Sequence, residues 1–130
     1  MGRVICAGLG PGDPELMSVR ADRLVRSTAH VAYFRKSGYE GQARKIVAGM
    51  LNPHAIEYPM EYPVTTEIPF IDPEYNRVMA AFYETWAERL ARLAETEEIL
   101  VLCEGDPFFY GSFMHLYVRL RNRCQVEVVP

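Results

Sequence analysis

From Cys103 to Phe113 the chain reads Cys-Glu-Gly-Asp-Pro-Phe-Phe-Tyr-Gly-Ser-Phe, a Glu-Gly-Asp-Pro turn followed at once by aromatics. One glycine and one proline would suffice to turn a corner, and this stretch holds more than that. Gly105 can take backbone angles closed to other residues, Pro107 fixes its own φ, and it pushes Asp106 towards an extended conformation. Exposed amides and two carboxylates on a rigid turn suit the binding of a small molecule better than covalent attack. A second loop of the same character runs Gly8-Leu9-Gly10-Pro11-Gly12-Asp13-Pro14. The dinucleotide fingerprint would want glycine where Asp13 stands, and the Gly-Lys-Ser/Thr of a P-loop is missing. The loop has the right position for a ligand and the wrong pattern for the two commonest nucleotide folds.

Both loops follow apolar runs that read as buried parallel strands: Arg3 to Ala7 before the first, Ile99 to Cys103 before the second. Between them the spacing predicts a helix from Glu15 with Leu16, Val19, Ala21, Leu24 and Val25 as its stripe. Next come a strand His30 to Phe34, a helix Gly41 to Leu51 and a strand Ala55 to Tyr58. Arg35 and Lys36 stand at the carboxyl end of the second strand, where a crevice in such a sheet would lie. Pro59 to Pro69 holds three prolines and reads as an irregular loop. Asp72-Pro73-Glu74 opens the clearest helix, with Tyr75, Val78, Met79, Phe82, Tyr83, Trp86, Leu90 and Leu93 on one stripe. Phe113, Met114, Tyr117 and Leu120 mark another helix, with Arg119, Arg121 and Arg123 near its end, and Gln125 to Val129 a last strand. Strands alternating with helices predict an α/β fold, an open and mainly parallel sheet of about five strands with helices on both faces.

The totals narrow the function. A chain of 130 residues fits one domain with a real core. A net charge of −3 argues against broad nucleic-acid binding, so an anionic ligand must meet a local cluster of cations. No run approaches the ~18 apolar residues of a membrane span, and no secretory signal opens the chain, which points to a cytoplasmic protein without a membrane partner. Cys6, Cys103 and Cys124 have no Cys-x-x-Cys spacing, and His30, His54 and His115 are scattered singly; buried, reduced thiols are expected and no metal site.

The two loops together, Gly8 to Leu16 and Glu104 to Gly111, resemble those of the tetrapyrrole methyltransferases of corrin and sirohaem synthesis, in the family's order and spacing. Within the family, His54 to Pro69 and the helix Gly111 to Leu120 are most similar to the branch that methylates C-20 of precorrin-2 in cobalamin synthesis. The resemblance covers the whole chain but only about half of the family's length. It implies residues 1–130 as the amino-terminal α/β domain of a two-domain enzyme, usually a homodimer, with S-adenosylmethionine bound in the cleft between domains. Carried over position by position, Pro11, Glu104, Gly105, Asp106 and Phe109 would touch the donor. Gly10, Gly12 and Asp13 would face the macrocycle, and Arg35 and Lys36 would meet its carboxylates.

The chemistry the resemblance implies needs alignment more than a nucleophile, because the sulfonium methyl is already activated. Sirohaem-branch relatives carry an aspartate just after the tyrosine of the second strand, where Phe34 or Arg35 stands here, so any catalytic base is unassigned among Tyr33, Glu104 and water. Two other readings stay open. One is a superfamily member that methylates ribosomal RNA ribose or a modified histidine of a translation factor, and the other is a non-catalytic binding or dimerisation module.

Overall fold

The computed structural model describes residues 2–63, 72–108 and 111–130. Its strands are β1 (Arg3–Gly8), β2 (His30–Arg35), β3 (Ile56–Glu61), β4 (Glu98–Cys103) and β5 (Val126–Val129). They form one five-stranded sheet in the order β3-β2-β4-β1-β5, and every neighbouring pair is parallel. The helices are α1 (Val19–Ser27), α2 (Gln42–Ile46), α3 (Pro73–Leu93) and α4 (Ser112–Leu120).

Because successive side chains of a strand point to opposite faces, the central strands must be apolar throughout. Ile5, Ala7, Val31, Tyr33, Leu100 and Leu102 face α1 and α2, where Ala21, Val25, Ala43 and Ile46 cover them. Val4, Cys6, Ala32, Ile99, Val101 and Cys103 face the other way, under Met79, Phe82 and Leu90 of α3 and Phe113, Leu116 and Leu120 of α4. The expected open parallel sheet with helices on both faces is therefore what forms. Cys6 and Cys103 meet inside the second layer with sulfurs 2.6 Å apart, both free thiols. Burial, then the bond from Cys103, pushes the Cys6 thiol well up.

Four elements depart from the sequence reading. Asp13, Pro14 and Glu15 do not open a covering helix. They make a 3-10 turn over Pro14–Leu16, Met17 is extended, and α1 starts only where the Ser18 hydroxyl accepts a bond from the Ala21 amide at 3.1 Å. Leu16 and Val19, expected on the buried stripe, are 62% and 68% exposed. The strand that was to stop at Tyr58 runs on through Pro59 to Glu61, with Pro59 opposite Tyr33. β3 is an edge strand, and an edge strand can place a proline where its missing N–H would have faced outward. The helix expected over Gly41 to Leu51 is α-helical only to Ile46 and continues as turns to Met50. In α4 the buried stripe is Phe113, Leu116 and Leu120, and Met114 is exposed. The rest of the expected irregular loop, 64–71, lies outside the described residues.

Charged ties finish the packing: Glu84 of α3 pairs with Arg119 at 3.5 Å and with Arg123, fastening α4 to α3 at the end where the helix dipole favours cations.

These placements predict a specific order of mutational costs. Leu116→Ala, at a fully buried site, should cost about 2–5 kcal/mol. Ser18→Ala should cost about 1 kcal/mol through the lost cap, and Val19→Ser should fall within about 0.5 kcal/mol of zero. Urea unfolding of the three variants checks the order; a larger loss at Val19 than at Ser18 would restore the earlier helix start.

Candidate functional site

β1 and β4 are neighbours, yet the chain leaves them in opposite directions. After β1 it crosses by way of α1 on one face towards β2, and after β4 by way of α4 on the other face towards β5. At such a switch point an open α/β sheet leaves a crevice outside the carboxyl ends of its strands. Both glycine loops start there.

Backbone bonds stitch the loops together. The Leu9 amide donates to the Cys103 carbonyl at 2.9 Å, and the Gly105 amide donates to the Gly10 carbonyl at 3.1 Å, closing a small antiparallel bridge between Gly10 and Gly105. Both bridge residues need left-handed angles, φ 79° and 68°, which glycine adopts at little cost. Gly8 answers a different demand, close approach: a Cβ there would stand 2.6 Å from the Gly105 carbonyl oxygen. Asp106 folds its own turn, its carboxylate accepting the Phe108 amide at 2.8 Å.

A cavity of about 800 Å³ opens over the stitched loops. The β4 loop contributes Glu104, Gly105, Asp106 and buried Pro107; the first loop contributes Pro11. The end of β2 and the first turns of α2 contribute Arg35, Lys36 and Lys45, and Tyr62, Gly111, Ser112 and Phe113 line the remainder. The lining therefore carries both acids, from the β4 loop, and cations, from the end of β2 and from α2. The two groups of cations are not equivalent. Arg35 is held by Glu61 on the neighbouring strand, through Nη2 at 2.6 Å and Nε at 3.0 Å, so its charge is already matched. Lys36 and Lys45 have no ion pair among the described residues.

Of the residues expected at the site, Pro11, Glu104, Gly105, Asp106, Arg35 and Lys36 converge on this cavity. Gly10 lies beneath it in the bridge; Gly12 and Asp13 are exposed and outside the lining, and the Asp13 carboxylate is occupied by the Glu15 amide at 2.9 Å. Phe109 lies outside the described residues. Tyr33, one of three candidate bases, points to the α1 and α2 face and donates to Glu57 at 3.0 Å, away from the lining. Burial and then Glu57 raise its pKa, while the Arg44 bond lowers that of Glu57.

Lys45, Tyr62 and Ser112 were missed. Extending the third strand through Pro59 would have put Tyr62 at the sheet's carboxyl rim, and the Gly111 helix start would have put Ser112 beside it. No group of three or more His, Cys, Asp or Glu suited to a metal ion occurs among the described residues, and no helix there is long and apolar enough to cross a membrane.

Fold and site together define a doubly wound α/β domain with a small-molecule cavity at its switch point. More narrowly, the chain belongs to the Tetrapyrrole (Corrin/Porphyrin) Methylases, whose family pattern it matches over residues 3–130. It is 49% identical over 131 residues to a precorrin-2 C(20)-methyltransferase of Sinorhizobium, covering 100% of this chain and 54% of the relative. It is 40% identical over 124 residues to the cobalamin biosynthesis protein CobIJ of Mycobacterium tuberculosis, covering 95% of this chain and 24% of that one. The chain thus spans about half, or less, of the relatives' lengths. Its backbone superposes with a TM-score of 0.59 on the uroporphyrin-III C-methyltransferase of Thermus thermophilus complexed with S-adenosylhomocysteine, at 25% identity over 99% of this chain and 44% of that one.

The stitch makes a direct prediction. Gly8→Ala drives a methyl group to 2.6 Å from the Gly105 carbonyl oxygen and 3.0 Å from Pro107 Cδ, so the loops must part. Hydrogen exchange at the Leu9 and Gly105 amides should quicken at least about tenfold. Gly111→Ala, whose nearest neighbour would stand 3.8 Å away, should leave both amides protected.

Proposed function

We propose that the protein is an S-adenosylmethionine-dependent methyltransferase acting at C-20 of precorrin-2 in cobalamin synthesis, these residues forming the amino-terminal α/β domain of a two-domain enzyme. The observation that carries the reading is the cavity over the stitched loops, whose lining holds both acids and cations. Charges of both signs in one lining suit two ligands: a donor with a sulfonium and an ammonium, and a macrocycle bearing carboxylates. The family match and the likeness to the Sinorhizobium relative support the choice of a tetrapyrrole over an RNA or a translation factor.

The loops fit the donor. No heavy atom stands within 4 Å of the place a Cβ would take on Gly105, so a ligand can approach the backbone there. When bound, S-adenosylmethionine supplies a methyl group already activated for transfer. Glu104 and Asp106 would hold its cationic end, Gly105 its flat approach and Pro11 the far edge of the pocket, with Phe109 assigned to the same set. Lys36 and Lys45, with Arg35 behind its Glu61 partner, would hold the macrocycle's carboxylates, and Gly10, Gly12 and Asp13 would frame its rim. Their work is alignment: fixing two reactants in one geometry lowers a barrier without any covalent step. Exposed Met114 and Val118, one turn apart on α4, support association, and we take the enzyme to be a cytoplasmic homodimer.

Calorimetric titration with S-adenosylmethionine tests the donor assignment. Asp106→Ala should weaken binding about tenfold or more, since it removes both a charge and the turn on the Phe108 amide; unchanged affinity would remove the loop from the site. Transfer of a labelled methyl group to precorrin-2 tests the domain assignment. The 130-residue chain alone should turn over barely above background, because it supplies one wall of a cleft, and rapid turnover would overturn the two-domain reading.

A further inference from the structure

Between the acidic loop and the cationic end of β2, the cavity wall carries two hydroxyls that neither side's charges explain. Tyr62 follows β3, Ser112 opens α4, and their oxygens lie 2.5 Å apart on the cavity lining. Tyr62 has little freedom. Its ring stacks on Phe34 with centroids 5.7 Å apart and planes at 11°, and it packs on Phe82 at 5.5 Å. Ser112 is held by the first turn of the helix.

Two hydroxyls bring two protons, and the bond between them uses one. A phenol is the better donor and an alkyl hydroxyl the better acceptor, so Tyr62 donates and Ser112 keeps a proton to give. Burial pushes the Tyr62 hydroxyl up to about 12, so it stays protonated at any working pH. Ser112 also acts on Tyr83, lowering a pKa that burial raises more. Tyr83, a phenol like Tyr62, donates to the second lone pair of the Ser112 oxygen, so the proton left over is still that of Ser112. Beyond these two phenols, Ser112 makes no side-chain hydrogen bond among the described residues.

We infer that Ser112, oriented by Tyr62, reads the methyl acceptor by donating a hydrogen bond to one of its carboxylate oxygens. The inference rests on the tetrapyrrole reading of the cavity. Lys36 and Lys45 line the same cavity as Ser112 and draw anionic groups into it. Phe34 stacks on Tyr62 and Phe113 lines the cavity beside Ser112, so the hydroxyl pair is part-buried, which strengthens a charge-assisted bond. A neutral donor adds no long-range attraction. It fixes which carboxylate sits where, and so which ring carbon is presented to the methyl group.

The test titrates the full-length two-domain enzyme with uroporphyrin III, a stable macrocycle with carboxylate side chains, by fluorescence, and with S-adenosylhomocysteine by calorimetry. Ser112→Ala should weaken the porphyrin about tenfold and leave S-adenosylhomocysteine unchanged. Ser112→Thr, which keeps the hydroxyl, should restore affinity. Tyr62→Phe should weaken the porphyrin about threefold, and the double variant should bind no worse than Ser112→Ala, because Tyr62 acts through Ser112. Unchanged porphyrin affinity in Ser112→Ala, or equal losses for both ligands, would overturn the inference and leave the tetrapyrrole reading standing. Additive losses in the double variant would overturn the assigned order of donors. A full-length wild-type enzyme that binds no porphyrin would overturn the tetrapyrrole reading, and the inference with it.

Discussion

The site depends on a backbone constraint: the carboxyl ends of β1 and β4 must approach closely enough for Gly10 and Gly105 to bond across the gap. Side chains cannot supply this contact, because any Cβ at Gly8 would hold the loops apart. Once the loops are joined they form a single floor, and Pro11, Glu104 and Asp106 are carried to fixed places on it. That economy explains why chemistry-bearing residues are sparse here. Position is set by main-chain geometry, and the side chains supply mostly charge.

Charge is distributed with some restraint. Arg35 stands on the cavity but is locked to Glu61, so it stiffens the rim between β2 and β3 more than it attracts a ligand. The unmatched cations are lysines, one on a loop and one on a short helix, whose long stems can follow an irregular array of carboxylates. The acids of the lining come from the β4 loop, so its two kinds of charge are carried by different elements.

Much of this was legible in the sequence because the periodicities are strong. β1 and β4 are short continuous apolar runs, α3 holds its stripe for 21 residues, and two turn-rich segments follow strands. What was misjudged lay where one residue type serves two purposes. Asp13-Pro14-Glu15 is a good helix start, yet the turn it builds is 3-10, and the true cap is Ser18, which has no proline to advertise it. Pro59 looked like the end of a strand because a residue's place at the edge or centre of a sheet is a tertiary fact. That error hid Tyr62, since a residue assigned to an irregular loop has no predictable direction. Ser112 escaped for the same reason: its partner is 50 residues away.

The order of strands also governs when the site can come into being. β1 lies between β4 and β5, and its register partners in β4 are some 95 residues further along the chain, Arg3 opposite Glu98. During synthesis from the amino terminus, β1 has no neighbour on either side until β4 has emerged. Its unpaired edges are then exposed for several seconds or more at ordinary elongation rates of about 5–20 residues per second. Non-local pairing of this kind slows folding and lengthens the interval in which an apolar strand can find the wrong partner. The crevice at the switch point is therefore among the last features to form.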